Sequence, residues 1–402
     1  MAGIVIAGGG DCGIRAAFAA RDQGYAGTIT VVAAEPGMPY ERPPLSKPGE
    51  LGATEKPICT PERLQDCKID LLLGVSVHSV DRAGRRVVLS NGAGLDYDKL
   101  LLATGAVPRK LACSGGDRAL SLRSLGDAQR IYGAAAPGVQ ITVIGAGLIG
   151  MELAAVLIGR GARVTVLEYG PRPLGRNVPE ALATRITGQH LAEGVDILCS
   201  VQIAEVTKNA VILADGRSIP SDVVVAAIGV VPDTELGRAS GLAVENGIRV
   251  DRQLRSTDPH IYAAGDCASV LCKDAVYRRF ETWQNAQTQG DIAGRNMAGA
   301  GLQFGGPVWF WSDQYDLGLQ AVGDTVGQAS AIRKTDTETE LHFYLDGQAR
   351  LIGAAGLGIG NAVAKDIKLA QKLIEAEVPL DVALLGDPAI NLKKMLRPIA
   401  VS

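Results

Sequence analysis

One glycine-rich turn occurs twice in this 402-residue chain, and the repeat constrains the fold more than any other feature. Residues 4–13 read IVIAGGGDCG and residues 141–150 read ITVIGAGLIG. In both, an apolar strand runs into G-x-G-x-x-G and then into a helical stretch, a pattern that binds a dinucleotide. The first glycine permits the tight turn, the second leaves room for pyrophosphate, and the third lets the helix pack closely against the strand.

Each repeat continues into a second strand that ends in an acid. TITVVAAE ends at Glu35 and ARVTVLE ends at Glu168, near the ~20-residue offset of the carboxylate that binds the adenosine ribose. A carboxylate repels a 2′-phosphate, so Glu168 favours NADH over NADPH. One such motif is a weak indication, but two in the same strand–turn–helix context predict two bound dinucleotides.

The composition is that of a globular protein with two or three domains. The chain is 47% hydrophobic with a net charge of −3, which excludes a basic nucleic-acid-binding protein. Apolar runs such as 223–231 are too short to span a bilayer, and no signal peptide is recognisable. We therefore expect a cytoplasmic enzyme with neither nucleic-acid nor membrane partners. Seven scattered cysteines and four dispersed histidines predict no disulfide framework, metal site or catalytic histidine.

Four further segments have a recognisable local pattern. Residues 96–109 (DYDKLLLATGAVPR) and 223–233 (VVVAAIGVVPD) are strands that end in a glycine and a proline-containing turn, and 260–268 (HIYAAGDCA) is a strand that ends in Gly-Asp. In YERPPLSK (40–47), two prolines fix the backbone between Arg42 and Lys47. Taken alone, this run is either a surface turn or a rigid scaffold that holds two cations against an anion.

Taken in order, these segments resemble the flavoprotein reductases of the glutathione-reductase-like fold, and most closely the NADH-dependent ferredoxin reductases of bacterial Rieske oxygenase and haem monooxygenase systems. GAGLIGMELA (145–154), RRFETWQNAQTQG (278–290) and VWFWSDQYDLGLQ (308–320) also carry the resemblance. It implies an α/β fold with two Rossmann-like dinucleotide-binding domains and an α+β C-terminal domain. The predicted domains are 1–109 with 237–315 for FAD, 110–236 for NAD, and 316–402 at the C-terminus.

The resemblance also assigns the candidate site. Lys47 is expected near the reactive edge of the isoalloxazine and Glu152 beside it near the nicotinamide, as the catalytic pair, while Arg42 is expected near the diphosphate. Trp309 and Trp311 are alternatives for the aromatic residue at the flavin. The residues assigned to FAD and NADH are Gly8, Gly10, Gly13, Glu35, Arg42, Lys47, Thr104, Gly105, Arg109, Asp266, Trp283, Gly145, Gly147, Gly150, Glu168, Gly229 and Trp311.

One residue departs from the family's pattern. Asp11 lies inside the first glycine loop, where an uncharged residue is more usual. A carboxylate close to pyrophosphate is unfavourable unless it is paired or points away. Its other plausible role is to cap the following helix.

The function implied by the resemblance is electron transfer from NADH, through FAD, singly to a two-iron ferredoxin that feeds an oxygenase. The alternatives are a flavin-dependent NADH oxidase, a rubredoxin reductase, or a flavin-bound interaction protein with incidental reductase activity. The lack of a C-x-x-C pair disfavours a disulfide reductase. Lys365, Lys368 and Lys372 share one predicted helix face, which is either a solvated surface or a contact for an acidic ferredoxin. Either a monomer or a homodimer is expected.

Overall fold

The computed structural model describes residues 2–47, 55–176 and 178–396, and the chain divides into two compact units. We call Met1–Pro43, Glu55–Val107 and Val230–Gly305 the N-terminal unit. The C-terminal unit consists of Pro44–Thr54, Pro108–Gly229 and Gly306–Ser402. The short 3-10 helix Pro43–Ser46 lies in YERPPLSK, and the strands Ala106–Pro108 and Val230–Pro232 pair with each other.

The N-terminal unit is built on a seven-stranded sheet whose central strands are parallel. Its strand Gly3–Ala7 is buried along its whole length, as expected for an apolar run inside a parallel sheet. Ala7 lies opposite Val32 on one neighbouring strand and Leu102 on the other. The strand order is Ile69–Leu73, Ile29–Ala33, Gly3–Ala7, Gly94–Leu102, Arg86–Leu89 and Val77–Asp81, and Ile261–Ala263 also pairs with Gly94–Leu102.

Two helices of this unit pack against each other unusually closely. Asp11–Asp22 lies against Trp283–Met297, where Gly290 and Gly294 are one turn apart. A Cβ atom on these glycines would stand 2.4 Å and 2.1 Å from main-chain oxygens of the facing helix, so the contact requires glycine. The remaining elements are the helices Pro61–Asp66, Glu235–Ala239 and Gly265–Cys267 (3-10) and the strands Ile248–Val250, Ala268–Leu271 and Tyr277–Arg278.

The C-terminal unit contains a second parallel sheet of the same design. Gln140–Ile144 lies between Arg163–Leu167 and Val223–Ala226 and leads through the second glycine turn into the helix Leu148–Gly159. The sheet order is Asp196–Leu198, Arg163–Leu167, Gln140–Ile144, Val223–Ala226 and Leu120–Ser121. Around it lie the helices Gly116–Arg118 (3-10), Leu125–Ala134 and Glu180–Ala192 and the antiparallel strands Ile203–Val206, Ala210–Leu213 and Ser218–Pro220.

An antiparallel five-stranded sheet completes this unit. The helix Ala364–Ala376 buries Ile367, Ala370 and Leu373 in the same hydrophobic cluster as residues of the sheet. Lys365, Lys368 and Lys372 are exposed on the same helix, as predicted. The strand order is Trp309–Gln314, Leu317–Gly323, Leu351–Ile359, Glu340–Leu345 and Ala331–Lys334, and the chain continues through Val382–Gly386 and the 3-10 helix Leu392–Leu396.

The predicted fold class is confirmed, with two dinucleotide-binding units and an α+β region. The antiparallel sheet, however, begins at Trp309, inside the segment 237–315 predicted for the FAD domain. This strand forms a hairpin with Leu317–Gly323, in which Trp311 lies opposite Gln320, so the predicted limit at residue 316 falls inside the hairpin. Residues 397–402, at the end of the predicted C-terminal domain, lie outside the described residues. None of the described helices has the length and apolar character needed to cross a membrane.

Candidate functional site

In the N-terminal unit, three parallel strands end at one edge of the sheet, and the predicted FAD residues follow them. Gly3–Ala7 leads into the glycine loop, Gly94–Leu102 into Thr104 and Gly105, and Ile261–Ala263 into Asp266. The carboxyl ends of parallel strands form the ligand crevice of such sheets. Thr104 donates its hydroxyl to the carbonyl of Asp233 at 2.6 Å, and the buried Gln289 accepts from the Gly265 amide at 2.8 Å. This edge is therefore preorganised.

The glycine turns of the two units have matching geometry. The first glycines, Gly8 and Gly145, have φ of +125° and +102°, which other residues rarely adopt. A Cβ on the third glycines would lie 1.9 Å or 2.0 Å from the carbonyl of the first, so the fold requires glycine there. The middle glycines are different: apart from the adjoining residues, no atom of the described part of the chain lies within 4 Å of a Cβ built on Gly10 or Gly147, and φ is −78° and −76°. The fold does not require glycine there, whereas a closely approaching pyrophosphate does.

Asp11 is paired within the N-terminal unit. It is the first residue of its helix, so the capping role belongs to Gly10 and the alternative that Asp11 caps the helix is wrong. Its Oδ1 accepts hydrogen bonds from Trp283 Nε1 and Gln287 Nε2, both at 2.9 Å. Burial raises the pKa of Asp11 to about 6, although these two hydrogen bonds oppose the shift. Trp283, predicted to contact the flavin, thus also holds this carboxyl.

The raised pKa of Asp11 predicts a pH-dependent stability. The protonated carboxyl stabilises the fold below the ordinary pKa near 3.8, and this contribution is lost as pH rises through about 6. Asp11→Asn keeps an oxygen for Trp283 and Gln287 but does not titrate. We expect the variant to gain about 2 kcal/mol in unfolding free energy over the wild type between pH 4 and pH 7.5. Paired thermal unfolding curves at both pH values measure this, and a difference independent of pH would contradict it.

Glu35, the predicted ribose ligand of FAD, is held by its neighbours in YERPPLSK. Tyr40 donates its hydroxyl to Oε2 at 2.5 Å, and the guanidinium of Arg42 contacts Oε1 at 2.7 Å. The structure places Arg42, which the resemblance assigns near the diphosphate, beside the carboxylate expected at the adenosine end of FAD. The opposite charges of Arg42 and Glu35 account for this placement.

In the C-terminal unit, Glu168 is anchored to the second glycine turn. Its Oε2 accepts from the Ala146 amide at 2.7 Å and its Oε1 from the Gly170 amide at 2.6 Å. The predicted ribose ligand of NADH is therefore fixed relative to the turn that would hold the pyrophosphate. The Arg109 amide donates to the carbonyl of Gly229 at 3.0 Å, which brings these two candidates together, and Gly229 has φ of +91°.

Lys47 and Glu152, the predicted catalytic pair, lie together in the C-terminal unit. Lys47 Nζ is 3.6 Å from Glu152 Oε1 and 2.9 Å from Asp313 Oδ2. Glu152 is 5% exposed, and its carboxylate accepts from Ser46 at 2.5 Å and from Ser312 at 2.6 Å. Glu152 therefore points into the protein and not toward solvent.

Burial raises the pKa of Glu152. The charge of Lys47 and the hydroxyls of Ser312 and Ser46 act in the opposite direction because they stabilise the carboxylate. Asp313 adds to the upward shift because a second negative charge lies nearby. The ionisation of Glu152 therefore depends on four neighbouring side chains.

Trp311 is the tryptophan that contacts Lys47. The ammonium lies 4.8 Å from the centre of the Trp311 ring, a cation–π distance. Trp311 donates its Nε1–H to Asp313 at 3.1 Å, so Asp313 holds both the lysine and the aromatic ring. Trp309 stacks on Trp311 at 5.0 Å between ring centres and hydrogen-bonds Gln320. Of the two tryptophans that the sequence leaves as alternatives, Trp311 is thus the one that contacts Lys47.

Three contributors to this cluster were missed in the sequence. Ser46 precedes Lys47 in the rigid run, and Ser312 and Asp313 directly follow Trp311. Their positions beside recognised residues were the available signal, but a serine or an aspartate in a motif has no distinctive chemistry by itself. Cys12, in the first glycine loop, and Cys267, which follows the Gly-Asp motif, are 7% and 0% exposed and are therefore packed in the interior.

Comparisons with known proteins agree with this arrangement. Residues 2–290 match the family profile of pyridine nucleotide-disulphide oxidoreductases, and residues 309–396 match the reductase C-terminal profile. The chain is similar to a ferredoxin reductase for the CYP199A2 system from Rhodopseudomonas palustris, with 31% identity, a TM-score of 0.91 and coverage of 99% of this chain and 100% of that one.

Two further solved structures are similar over nearly their full length. The reductase in a covalent putidaredoxin reductase–putidaredoxin complex shares 31% identity, with a TM-score of 0.90 and coverage of 100% of this chain and 99% of that one. A structure named Fdr9 shares 32% identity, with a TM-score of 0.85 and coverage of 98% and 99%.

Proposed function

Because the chain belongs to the pyridine nucleotide-disulphide oxidoreductase family, and within it to the ferredoxin reductases, we propose that it carries electrons from NADH through FAD to a two-iron ferredoxin that supplies an oxygenase. FAD is assigned to the N-terminal unit and NADH to the C-terminal unit. The ferredoxin assignment is supported by the similarity to a reductase whose structure was determined in complex with putidaredoxin.

The observation that carries the proposal is the matched pair of glycine turns. Gly10 and Gly147 are each left open by the protein on the side where a Cβ would project, at the start of a helix whose amides and dipole favour an anion. The carboxylates at the ends of the following strands, Glu35 and Glu168, suit ribose hydroxyls rather than a 2′-phosphate. These residues fit FAD in the first turn and NADH in the second.

The Lys47 cluster supplies charge and alignment in the proposed reaction. A bound flavin supplies the conversion between hydride transfer from the nicotinamide and one-electron transfer to the ferredoxin. Asp313, Glu152 and the Trp311 ring hold the Lys47 ammonium in place. A cation fixed in this way requires little reorganisation when negative charge develops beside it. We assign Lys47 to the reactive edge of the flavin on the family resemblance, with Glu152 as its counter-ion.

The test is a two-step anaerobic stopped-flow experiment. The FAD-loaded protein is mixed with NADH and then with a two-iron ferredoxin, while flavin and iron–sulfur absorbance are followed separately. Rapid flavin bleaching followed by stoichiometric ferredoxin reduction supports the proposal. Bleaching that is reversed only by oxygen, with several ferredoxins tried, would favour the NADH oxidase alternative or an interaction role.

The exposed lysine face predicts how the ferredoxin binds. Lys365, Lys368 and Lys372 lie along one side of the helix Ala364–Ala376 and fit an acidic partner. The triple substitution to glutamate is expected to raise the KM for ferredoxin at least tenfold at low salt and to leave the rate of flavin reduction by NADH unchanged. The difference in KM should shrink above ~0.3 M salt, where exposed charges are screened.

A control distinguishes this surface from a general effect of charge. Lys208 is exposed on another part of the same unit, and Lys208→Glu should change the KM for ferredoxin less than twofold. Equal effects of the control and of each single substitution in the helix would contradict a docking role for the lysine face.

A further inference from the structure

A chain of hydrogen-bonded side chains leads away from Glu152 into the C-terminal unit. Ser312 donates to Glu152 Oε1 at 2.6 Å, and Gln314 Nε2 donates to the Ser312 hydroxyl at 3.1 Å. Gln314 Oε1 is 2.8 Å from His190 Nε2, and His190 Nδ1 is 3.0 Å from the Tyr315 hydroxyl. Ser312, Gln314 and His190 are at most 2% exposed.

The pattern of donors and acceptors fixes a direction along this chain. A carbonyl oxygen only accepts, so His190 donates from Nε2 and its Nδ1 must accept the Tyr315 hydroxyl proton. Gln314, with its oxygen engaged, presents its NH₂ group to Ser312. The serine hydroxyl, already accepting from Gln314, directs its proton at Glu152. Every donor therefore points toward the carboxylate.

His190 is what holds Gln314 in this orientation. An amide that turned by 180° would present its oxygen to Ser312, and the serine proton would then have two competing acceptors. With the Nε2–H of His190 in place, this rotation would bring the Gln314 NH₂ group against the His190 N–H, so that two donors would face each other. Burial lowers the pKa of His190, which keeps the ring neutral with one donor and one acceptor nitrogen.

Tyr315 lies at the end of the hydrogen-bonded series farthest from Glu152, and it fixes the His190 ring. It lies in a two-residue hairpin turn with φ of +56°, a conformation that disfavours a bulky side chain. Its ring packs edge-on against His190 at 4.9 Å between ring centres. A tyrosine is kept in a position where glycine or asparagine is easier, and both its ring and its hydroxyl contact His190.

We propose that His190 is a positioning residue, which acts through Gln314 and Ser312 to hold Glu152 as a carboxylate beside Lys47. It does not act as an acid or base itself, because the Gln314 amide interrupts any simple proton path to Glu152. The proposal deepens the proposed function, since it concerns the counter-ion assigned to Lys47. Among the described residues, the charged groups that act on Glu152 are Lys47 and Asp313, the buried Tyr132 phenol lies within electrostatic range, and the hydroxyls of Ser46 and Ser312 donate hydrogen bonds to the carboxylate.

Two equilibrium measurements on the purified protein, without NADH or ferredoxin, test the proposal. In ¹⁵N-histidine NMR spectra, the His190 signal, identified by its loss in His190→Leu, is expected as the neutral Nε2–H tautomer. The pH titration of Glu152 is followed by its infrared carboxyl band, identified by difference against Glu152→Gln. His190→Leu is expected to raise the Glu152 pKa by about one unit. His190→Gln, which retains a hydrogen-bond donor at the same place, should keep the Glu152 pKa close to its wild-type value.

Two further variants make the result decisive. Tyr315→Phe removes only the hydroxyl and should produce a mixture of His190 tautomers together with a smaller rise in the Glu152 pKa. His342→Leu removes the other buried histidine, at 4% exposure, and should leave the Glu152 titration unchanged. A Glu152 pKa that is the same in the wild type, His190→Leu and Tyr315→Phe would overturn the proposal, as would a His190 ring with its proton on Nδ1. Neither outcome bears on whether the protein reduces ferredoxin.

Discussion

Lys47→Met is expected to slow the reduction of flavin by NADH by roughly 100-fold, the usual effect of removing one preorganised charge from a reaction centre. Methionine is a flexible side chain of similar length but lacks the ammonium that lies over the Trp311 ring. Glu152, buried and without its counter-ion, is then expected to be protonated, because an unpaired buried carboxylate is strongly unfavourable. The rate constant is measured from anaerobic flavin bleaching at saturating NADH.

Lys56→Met is the matched control for this prediction. Lys56 is exposed and pairs with Glu41 on the surface of the N-terminal unit, so its removal should change the bleaching rate less than twofold. FAD content, read from the visible spectrum, should be the same in both variants. A wild-type bleaching rate in Lys47→Met would remove Lys47 from the catalytic pair.

The second large effect is expected at the middle glycine of the nucleotide turn. Gly147→Ala should raise the Kd for NADH about 10- to 100-fold, because a methyl group there occupies space next to the pyrophosphate, and overpacking costs about 1–3 kcal/mol. The fold itself should tolerate alanine, since φ is −76° and no protein atom lies within 4 Å of the new Cβ. The dependence of the anaerobic flavin-bleaching rate on NADH concentration gives the Kd, and FAD retention should be unchanged.

Gly159 provides a control on the same helix. It is the last residue of Leu148–Gly159, and a Cβ built on it also meets no atom within 4 Å. Gly159→Ala should leave the Kd for NADH unchanged, and stability should stay the same or rise by ~0.5–1 kcal/mol. Equal NADH affinities for the two alanine variants would show that the second turn is not where the pyrophosphate binds.

The parts of the fold that could be predicted are those encoded by local chemistry. A glycine turn between a buried strand and a helix has few alternative structures, so both parallel sheets and their following helices were predicted from short segments. The outer strands and the antiparallel sheet depend on pairing between distant segments, which a local pattern does not specify. The hairpin of Trp309–Gln314 and Leu317–Gly323, for example, pairs with the distant strand Leu351–Ile359, and the predicted limit at residue 316 falls inside that hairpin.

The residues of the site likewise fall into those that a local motif identifies and those that it does not. Lys47 and Glu152 were found because their motifs resemble those of a known family, although 105 positions separate them in the sequence. Ser312 is 160 residues from Glu152, and Gln314 is 124 residues from His190. Nothing in a serine, a glutamine or a lone histidine indicates such a contact. Their contacts follow from the fold, which places Ser312 and Gln314 of the strand Trp309–Gln314 beside Glu152 and His190 in one buried cluster.

The strand Trp309–Gln314 has a consequence for exchanging partner specificity between related reductases. It is the first strand of the antiparallel five-stranded sheet. It also provides Ser312, which hydrogen-bonds Glu152, and Asp313 and the Trp311 ring, which both contact Lys47. A chimera joined at residue 308 would import a foreign set of these contacts, whereas one joined at 316 would keep the native set but split a hairpin. Any graft of this part of the chain must therefore be matched to the lysine that the strand helps to hold.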